Sequence, residues 1–177
     1  MTREASHSTI PGLDPGISPS VSLAVESPLQ DEVRGLIADL NAVLLETTPV
    51  EFCYHLTAEE MAAPNTTVFV ARIAGRAIGV GALRCHAGGV GEVKRMYVRP
   101  DRQGRGIGGM ILAAIEALAV KEGLSRLVLE TGINQPAAQR LYERSGFSRS
   151  GPVLGYPLTP YSVFFEKGLA RRASSAA

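Results

Sequence analysis

The residues from 103 to 109 form a glycine-rich segment that is suited to binding a phosphate group. The segment reads Gln103-Gly104-Arg105-Gly106-Ile107-Gly108-Gly109. Its glycines leave the backbone unobstructed, so the backbone N–H groups can converge on an anion. A helical pattern starts at Ile107, and a helix N-terminus adds unpaired N–H groups and the positive end of its dipole. The sequence therefore predicts a phosphate or pyrophosphate site in this segment.

The nucleotide-binding P-loop is one known motif to compare with this segment. It requires Gly-x-x-x-x-Gly followed by Lys and then Ser or Thr. Gly104 and Gly109 have the correct separation, but Met110 and Ile111 follow them. Because no lysine reaches the outer phosphates and no hydroxyl can hold Mg²⁺, the sequence argues against a P-loop.

The dinucleotide fingerprint Gly-x-Gly-x-x-Gly fits the spacing better. Its glycines would be Gly104, Gly106 and Gly109, and Glu130 follows at the distance of a ribose-binding acid. However, the fingerprint begins directly after a strand, whereas here Pro100 and its neighbours intervene. The preceding strand also carries charged residues where a buried parallel strand is apolar; they are Glu92, Lys94 and Arg95. Dinucleotide binding therefore stays open as a weaker alternative.

A second block lies downstream of the glycine segment. Asn134 is followed by Leu141-Tyr142-Glu143-Arg144-Ser145-Gly146-Phe147. This block resembles the Leu-Tyr-x-x-x-Gly-Phe core of the GCN5-related N-acetyltransferases. The segment Gln103-x-x-Gly106-x-Gly108, after Met96-Tyr97-Val98-Arg99-Pro100, resembles the acyl-CoA signature of the same family. The resemblance covers residues 90–150, and it implies an acyl-CoA N-acyltransferase fold with acetyl-CoA as co-substrate.

Hydrophobic periodicity predicts the elements that position these two blocks. Strands are predicted at residues 21–27, 66–73, 77–85, 90–98, 126–130, 147–150 and 161–167, and helices at 31–44, 57–62, 107–121 and 136–143. This order predicts an α/β (mixed α+β) fold with a central mixed sheet of about seven strands and helices on both faces. A single domain is expected over residues 20–169, between a flexible leader at 1–19 and a flexible tail at 170–177.

Composition and charge give no support to several classes of function. The chain has 177 residues and a net charge of +1, which gives no charge-based argument for a nucleic-acid or membrane partner. Its 2 cysteines make no disulfide framework, and its 3 histidines have no metal-ligand spacing. We expect a cytoplasmic protein that needs no metal. The sequence leaves a homodimer open.

The family resemblance implies a set of cofactor-binding residues. Pantetheine is expected to pair with the backbone of Met96, Tyr97 and Val98, and the N–H of Val98 would polarise the thioester carbonyl. The pyrophosphate is expected on the glycine segment, whose members are Gln103, Gly104, Arg105, Gly106, Ile107, Gly108 and Gly109. Asn134 is expected to hydrogen-bond the cofactor arm. Arg99, Arg102 and Arg105 would add positive charge nearby.

The resemblance also implies two catalytic residues. Tyr142 matches the general acid that protonates the coenzyme A sulfur, and it is also expected to contact the cofactor. Glu92 matches a general base used by histone-acetylating members, although many relatives relay the proton through water. The expected reaction moves an acetyl group from acetyl-CoA to a primary amine of a small molecule, amino acid or peptide by direct attack in a ternary complex. A catalytically silent acyl-CoA-binding regulatory module is the alternative.

The acceptor pocket is expected in the regions that match the family least. These are the first helices, residues 46–57 and residues 155–161. Their tyrosines are the candidates for the pocket wall, namely Tyr54, Tyr156 and Tyr161. Nothing in these regions specifies the acceptor.

Overall fold

The computed structural model describes residues 20–170; the predicted leader and residues 171–177 of the predicted tail lie outside this range. The strands are β1 (Val21–Val25), β2 (Thr66–Ile73), β3 (Arg76–His86), β4 (Val90–Val98), β5 (Arg126–Gly132), β6 (Ser148–Ser150) and β7 (Ser162–Gly168). The α-helices are α1 (Asp31–Thr47), α2 (Ala58–Met61), α3 (Ile107–Lys121) and α4 (Pro136–Arg144). All predicted elements are present, in the predicted order.

The strands form one mixed sheet in the order β1-β2-β3-β4-β5-β7-β6. β4 and β5 are parallel, and every other neighbouring pair is antiparallel. A parallel pair needs a crossover connection, and α3 supplies it. The predicted mixed sheet is thus confirmed. Some bounds differ: α1 extends to Thr47, and β1 already ends at Val25.

Helices cover both faces of the sheet and bury one apolar cluster on each. On one face, α3 and α4 pack against the sheet through Ile107, Ile111, Leu112, Ile115 and Tyr142. On the other face, α1 and α2 bury Val33, Leu36, Ile37, Ala58 and Met61. Each helix buries an apolar stripe, as the helical spacing of these residues predicts. The sheet therefore separates an α1 side from an α3–α4 side.

The short helix α2, which the sequence predicts, begins with a capping box formed by Thr57 and Glu60. The Thr57 hydroxyl accepts a hydrogen bond from the Glu60 N–H at 3.1 Å, and the Glu60 carboxylate accepts one from the Thr57 N–H at 2.8 Å. The cap satisfies N–H groups that the helix itself leaves unpaired. It also sets the path of the chain that leads from α1 into α2.

Gly91, in β4, provides a test of the packing beneath the site. A Cβ at this position would lie 2.8 Å from Leu124 Cδ1, 2.8 Å from Leu127 Cδ2 and 2.9 Å from Leu83 Cδ1. Overpacking of this kind costs about 1–3 kcal/mol, so Gly91→Ala is expected to lower the free energy of unfolding by that amount. At Gly35, in α1, an added Cβ would have no atom within 4 Å, and Gly35→Ala should raise stability by about 0.5–1 kcal/mol. Urea denaturation measures both variants, and equal stability of the two would contradict this packing.

Candidate active site

The parallel strands β4 and β5 separate soon after they meet. Their ladder joins residues 90–92 of β4 to residues 126–128 of β5. β4 then continues along β3 to Val98, and β5 continues along β7 to Gly132. From residue 93 onward, the edge of β4 that faces β5 has no strand partner within residues 20–170. This opening lies toward the carboxyl ends of the parallel strands, where α/β sheets usually bind ligands.

A β-bulge changes the course of β4 beside the opening. The register between β3 and β4 shifts between Val80 and Ala82, opposite residues 94–97. Within this bulge Arg95 has a φ of 57°, a left-handed conformation that is uncommon for a residue with a side chain. Backbone strain of this kind concentrates at functional sites.

One cavity at the opening is lined from both sides of the sheet. The α1 side contributes Leu40 and Leu44 together with Phe52, Tyr54 and His55 from the following segment. The α3–α4 side contributes Ala138 and Tyr142 from α4. The strands that flank the opening contribute Lys94, Arg95, Met96, Glu130 and Thr131. Groups on opposite faces of the sheet can therefore meet in this cavity.

The glycine segment has the geometry of an anion site. Gly104 and Gly106 have φ values of 73° and 78°, and no atom lies within 4 Å of a Cβ built on either one. Gly106 is the N-cap residue of α3, and no side chain of residues 20–170 makes a capping hydrogen bond at this helix end. The first N–H groups of α3 therefore remain available to an anion such as a phosphate group.

Gln103 ties this segment to the end of β4. Its amide Nε2 donates a hydrogen bond to the Val98 carbonyl at 2.9 Å. The neighbouring arginines differ in their pairing. Arg99 and Arg102 both contact Asp101, at 3.4 and 3.2 Å, whereas Arg105 is exposed and has no ion pair within residues 20–170. Arg105 is the member of the predicted basic cluster whose charge is least compensated.

Tyr142 belongs both to the core and to the cavity wall. Its side chain is 5% exposed, and its ring lies 5.9 Å from the rings of Phe147 and Phe165. Burial and, to a smaller extent, the charge of Glu130 raise the pKa of the phenol. The hydroxyl is therefore protonated at neutral pH. Tyr142 therefore packs in the core and also lines the cavity.

Glu92 is the centre of a buried polar network. The carboxylate is 1% exposed, and its Oε1 accepts a hydrogen bond from the Tyr156 hydroxyl at 2.8 Å. Lys94 Nζ lies 3.2 Å from Oε1, and His86 Nε2 lies 2.9 Å from Oε2. Both carboxylate oxygens thus have partners. Among the described residues that line the cavity, Glu92 is not included, although Lys94 is.

Glu130 is the carboxylate that does line the cavity. Val128 pairs with Glu92 in the parallel ladder, so Glu130 and Lys94 each follow by two residues on their own strands. Burial raises the pKa of the Glu130 carboxyl, and the Ser162 hydroxyl and Lys94 oppose this only in part. The sequence pattern indicated Glu130 only as a ribose-binding acid. A sequence signal that could have drawn attention to Glu130 is its place directly after the apolar run 127–129 of a parallel strand.

Asn134 lies in the turn after β5, between Gly132 and Gln135, which line the cavity. Its side chain is exposed, and Nδ2 donates a hydrogen bond to the Thr47 carbonyl at the end of α1, at 3.1 Å. This bond links the turn after β5 to the α1 side. The cofactor contact expected for Asn134 stays a prediction.

The predicted acceptor tyrosines gather around the same cavity. Tyr54 and Tyr161 line it, and Tyr156 packs against Tyr54 with ring centroids 5.2 Å apart. Phe52, which the sequence did not single out, stacks on Tyr161 at 5.1 Å and completes an aromatic wall. Cys53 is half-buried in the wall of the same cavity.

Residues 20–170 contain neither a cluster of metal-binding side chains nor a helix that could span a membrane. No group of three or more His, Cys, Asp or Glu side chains there could hold a metal ion. No helix in this part of the chain is long and apolar enough to span a membrane.

Comparison with known proteins identifies the family. The sequence profile of the acetyltransferase (GNAT) family matches residues 37–147. IAA acetyltransferase from Azospirillum brasilense is 43% identical over 149 residues, which cover 84% of this chain and 97% of the relative. The uncharacterized N-acetyltransferase YedL from Escherichia coli is 31% identical over 134 residues, 75% of this chain and 84% of that protein.

A solved structure shares both sequence and fold with the chain. The putative acyl-CoA N-acyltransferase from Klebsiella pneumoniae superimposes with a TM-score of 0.72 at 34% identity, covering 85% of this chain and 98% of that one. The chain belongs to the GNAT family of acetyltransferases and is an acyltransferase.

Proposed function

We propose that this enzyme transfers an acetyl group from acetyl-CoA to a primary amine of a small molecule, an amino acid or a peptide, by direct attack within a ternary complex. The observation that carries the proposal is the single cavity at the β4–β5 opening, which has walls from both sides of the sheet. The α3–α4 side holds the glycine segment and receives the cofactor. The α1 side, with its aromatic wall, receives the acceptor. The names of the relatives support acetyl transfer and leave the acceptor of this chain to be found.

The residues present fit an acyl-CoA. Gly104 and Gly106 leave space for a pyrophosphate, and the open N-terminus of α3 offers N–H donors to it. Met96, Tyr97 and Val98 present the unpaired edge of β4 to the pantetheine arm. Acetyl-CoA would supply the activated acetyl group. The protein positions it and handles the protons.

The acceptor amine must lose a proton to become a nucleophile, because a lysine-like amine with a pKa of about 10.4 is almost wholly protonated near pH 7. Glu130 is the better placed carboxylate to accept this proton, because it lines the cavity and burial raises its pKa toward neutrality. Glu92 was the base expected from the sequence, but Tyr156, Lys94 and His86 surround its carboxylate. We therefore assign Glu92 the role of holding Lys94 and Tyr156 in place.

A matched pair of variants separates the two carboxylates. Glu130→Gln is expected to lower kcat about 10-fold, less than the usual effect of losing a general base because solvent can take over part of the role. Glu92→Gln is expected to lower the free energy of unfolding, since it leaves Lys94 buried without its counter-ion. Its kcat should stay closer to the wild-type value than that of Glu130→Gln. Steady-state kinetics and urea denaturation of both variants measure these effects. A larger kcat loss in a folded Glu92→Gln variant than in Glu130→Gln would return the base to Glu92.

A ligand-binding experiment tests the proposed co-substrate against the alternatives. A ligand that binds only the folded state raises the melting temperature with its concentration. We expect stabilisation by coenzyme A and acetyl-CoA and none by NAD. Stabilisation by NAD alone would establish dinucleotide binding. Stabilisation by coenzyme A without acetyl transfer to any amine would instead identify a silent acyl-CoA-binding module.

A further inference from the structure

Arg95 is a buried cation without an anionic partner among residues 20–170. Its side chain is 7% exposed and lies on the left-handed bulge of β4. The guanidinium Nη2 donates to the Asn41 side-chain oxygen and, at 3.5 Å, to the Ile37 carbonyl of α1. Its Nε is buried with no hydrogen-bond partner, and no carboxylate within residues 20–170 forms an ion pair with it.

Two other shielded cations are compensated by carboxylates. Arg72 contacts the carboxylates of Glu26 and Glu32, and Lys94 contacts that of Glu92. Burying a charge without a partner is costly, so an unpaired buried guanidinium needs an explanation. Burial lowers the pKa of Arg95 to about 10, and the group therefore still carries its charge at neutral pH. An anion supplied from outside the chain would complete the site.

The position of Arg95 indicates where such an anion binds. Arg95 lines the cavity, and so does His55, whose Nε2 is likewise buried without a partner. Burial and the nearby charges of Arg95 and Lys94 lower the pKa of His55, so its ring is neutral at neutral pH and can donate one hydrogen bond. Two residues in the wall of the acceptor cavity thus each have a buried nitrogen without a partner among the described residues.

The opposite strand supplies a complementary group. Glu130 lines the same cavity from β5, whereas Arg95 belongs to β4. We propose that the acceptor is a small amine that carries a free carboxylate, as an amino acid does, with Arg95 and His55 binding the carboxylate and Glu130 facing the amine. This inference rests on the proposed acetyl transfer to an amine. An Arg–carboxylate pair is charge-assisted, and its planar geometry selects a carboxylate over a neutral group.

Substrate pairs that differ only in the carboxylate test the proposal on the wild-type enzyme. The probes are L-amino acids, including L-phenylalanine for the aromatic wall, and the corresponding amino acid amides. We expect kcat/KM to be at least about 10-fold higher for the acids, the size of one charge-assisted hydrogen bond. Intrinsic reactivity works against this result, because the amide lacks the negative charge that favours the protonated amine. Equal or faster acetylation of the amides would overturn the proposal.

Variants then locate the preference. Arg95→Met removes the charge with little loss of volume, and it should reduce the ratio of kcat/KM for an acid to kcat/KM for its amide to about one. Arg84→Met is the matched control: Arg84 Nε is also buried without a partner, but Arg84 lies on β3 and outside the cavity wall. The preference should survive in this control.

The outcomes of these assays are distinguishable. Acetylation of amides and acids alike by the wild type contradicts only the carboxylate site, whereas no acetylation of any amine contradicts the proposed function itself. A folded Arg95→Met variant that keeps the preference for acids would also overturn the assignment. If Arg95→Met does not fold, the wild-type comparison of acids with amides decides by itself.

Discussion

Replacement of Tyr142 by phenylalanine is expected to lower kcat by about 100-fold, a typical effect of losing a general acid. Phenylalanine keeps the ring that packs against Phe147 and Phe165 and removes only the proton donor. The raised pKa of Tyr142 keeps the phenol protonated at neutral pH, so the donor is always present. It also makes donation to a thiolate more uphill than for a free phenol, so the expected loss of kcat lies at the lower end of the usual range for a general acid.

The affinity for coenzyme A should change little in this variant, because the hydroxyl matters most when charge develops on sulfur. Phe147→Leu serves as the control, since it disturbs the same core cluster and leaves the hydroxyl in place. It should lower stability with kcat nearly unchanged. Steady-state kinetics with a reaction limited by chemistry measure both variants. A Tyr142→Phe enzyme with wild-type kcat would remove Tyr142 from the mechanism and leave water as the proton donor.

Substitution of Gly106 by valine is expected to raise the Kd for coenzyme A by about 100-fold, the loss of one or two hydrogen bonds to a charged group. The left-handed φ of 78° and the open space beside Gly106 mean that a side chain would occupy the volume proposed for the pyrophosphate. The backbone would also be strained, because β-branched residues rarely adopt positive φ. Isothermal titration of the folded variant with coenzyme A gives the Kd.

Gly123→Val separates strain from blocked binding. Gly123 has a φ of 73° and no atom within 4 Å of a built Cβ, but it lies at the other end of α3. Both variants should lose similar stability, and only Gly106→Val should lose affinity for coenzyme A. Equal affinity in the two folded variants would place the pyrophosphate elsewhere.

Much of the fold follows from local signals in the sequence. The apolar spacing of α3, the Thr57 capping box and the helix between β4 and β5 predict elements that the structure confirms. Their ends are less predictable, because pairing across the sheet determines them. β1, for example, ends where Val25 pairs with Phe69. The preceding leader and the final residues fall outside the part of the chain that the structure describes.

The candidate active site also contains residues that the sequence can identify and contacts that only the folded structure shows. The glycine segment and Tyr142 lie in contiguous motifs, and the sequence can identify them. The sequence cannot identify the hydrogen-bond partners of Glu92, because Tyr156 lies 64 residues away along the chain and contacts Glu92 only in the folded protein. Burial also changes chemistry without any local signal. It raises the pKa of Glu130 and lowers that of Arg95. From the sequence, Arg95 is only one of several charged residues in its strand.

The most direct test of the account is acetyl transfer itself. Purified enzyme is incubated with acetyl-CoA and a panel of amines, amino acids and peptides, while the released coenzyme A thiol and the mass of the acceptor are both followed. The account predicts thiol release that depends on an amine and matches, mole for mole, an acceptor heavier by one acetyl group. Thiol release at the same rate with and without every amine, and with no acetylated acceptor, would contradict it.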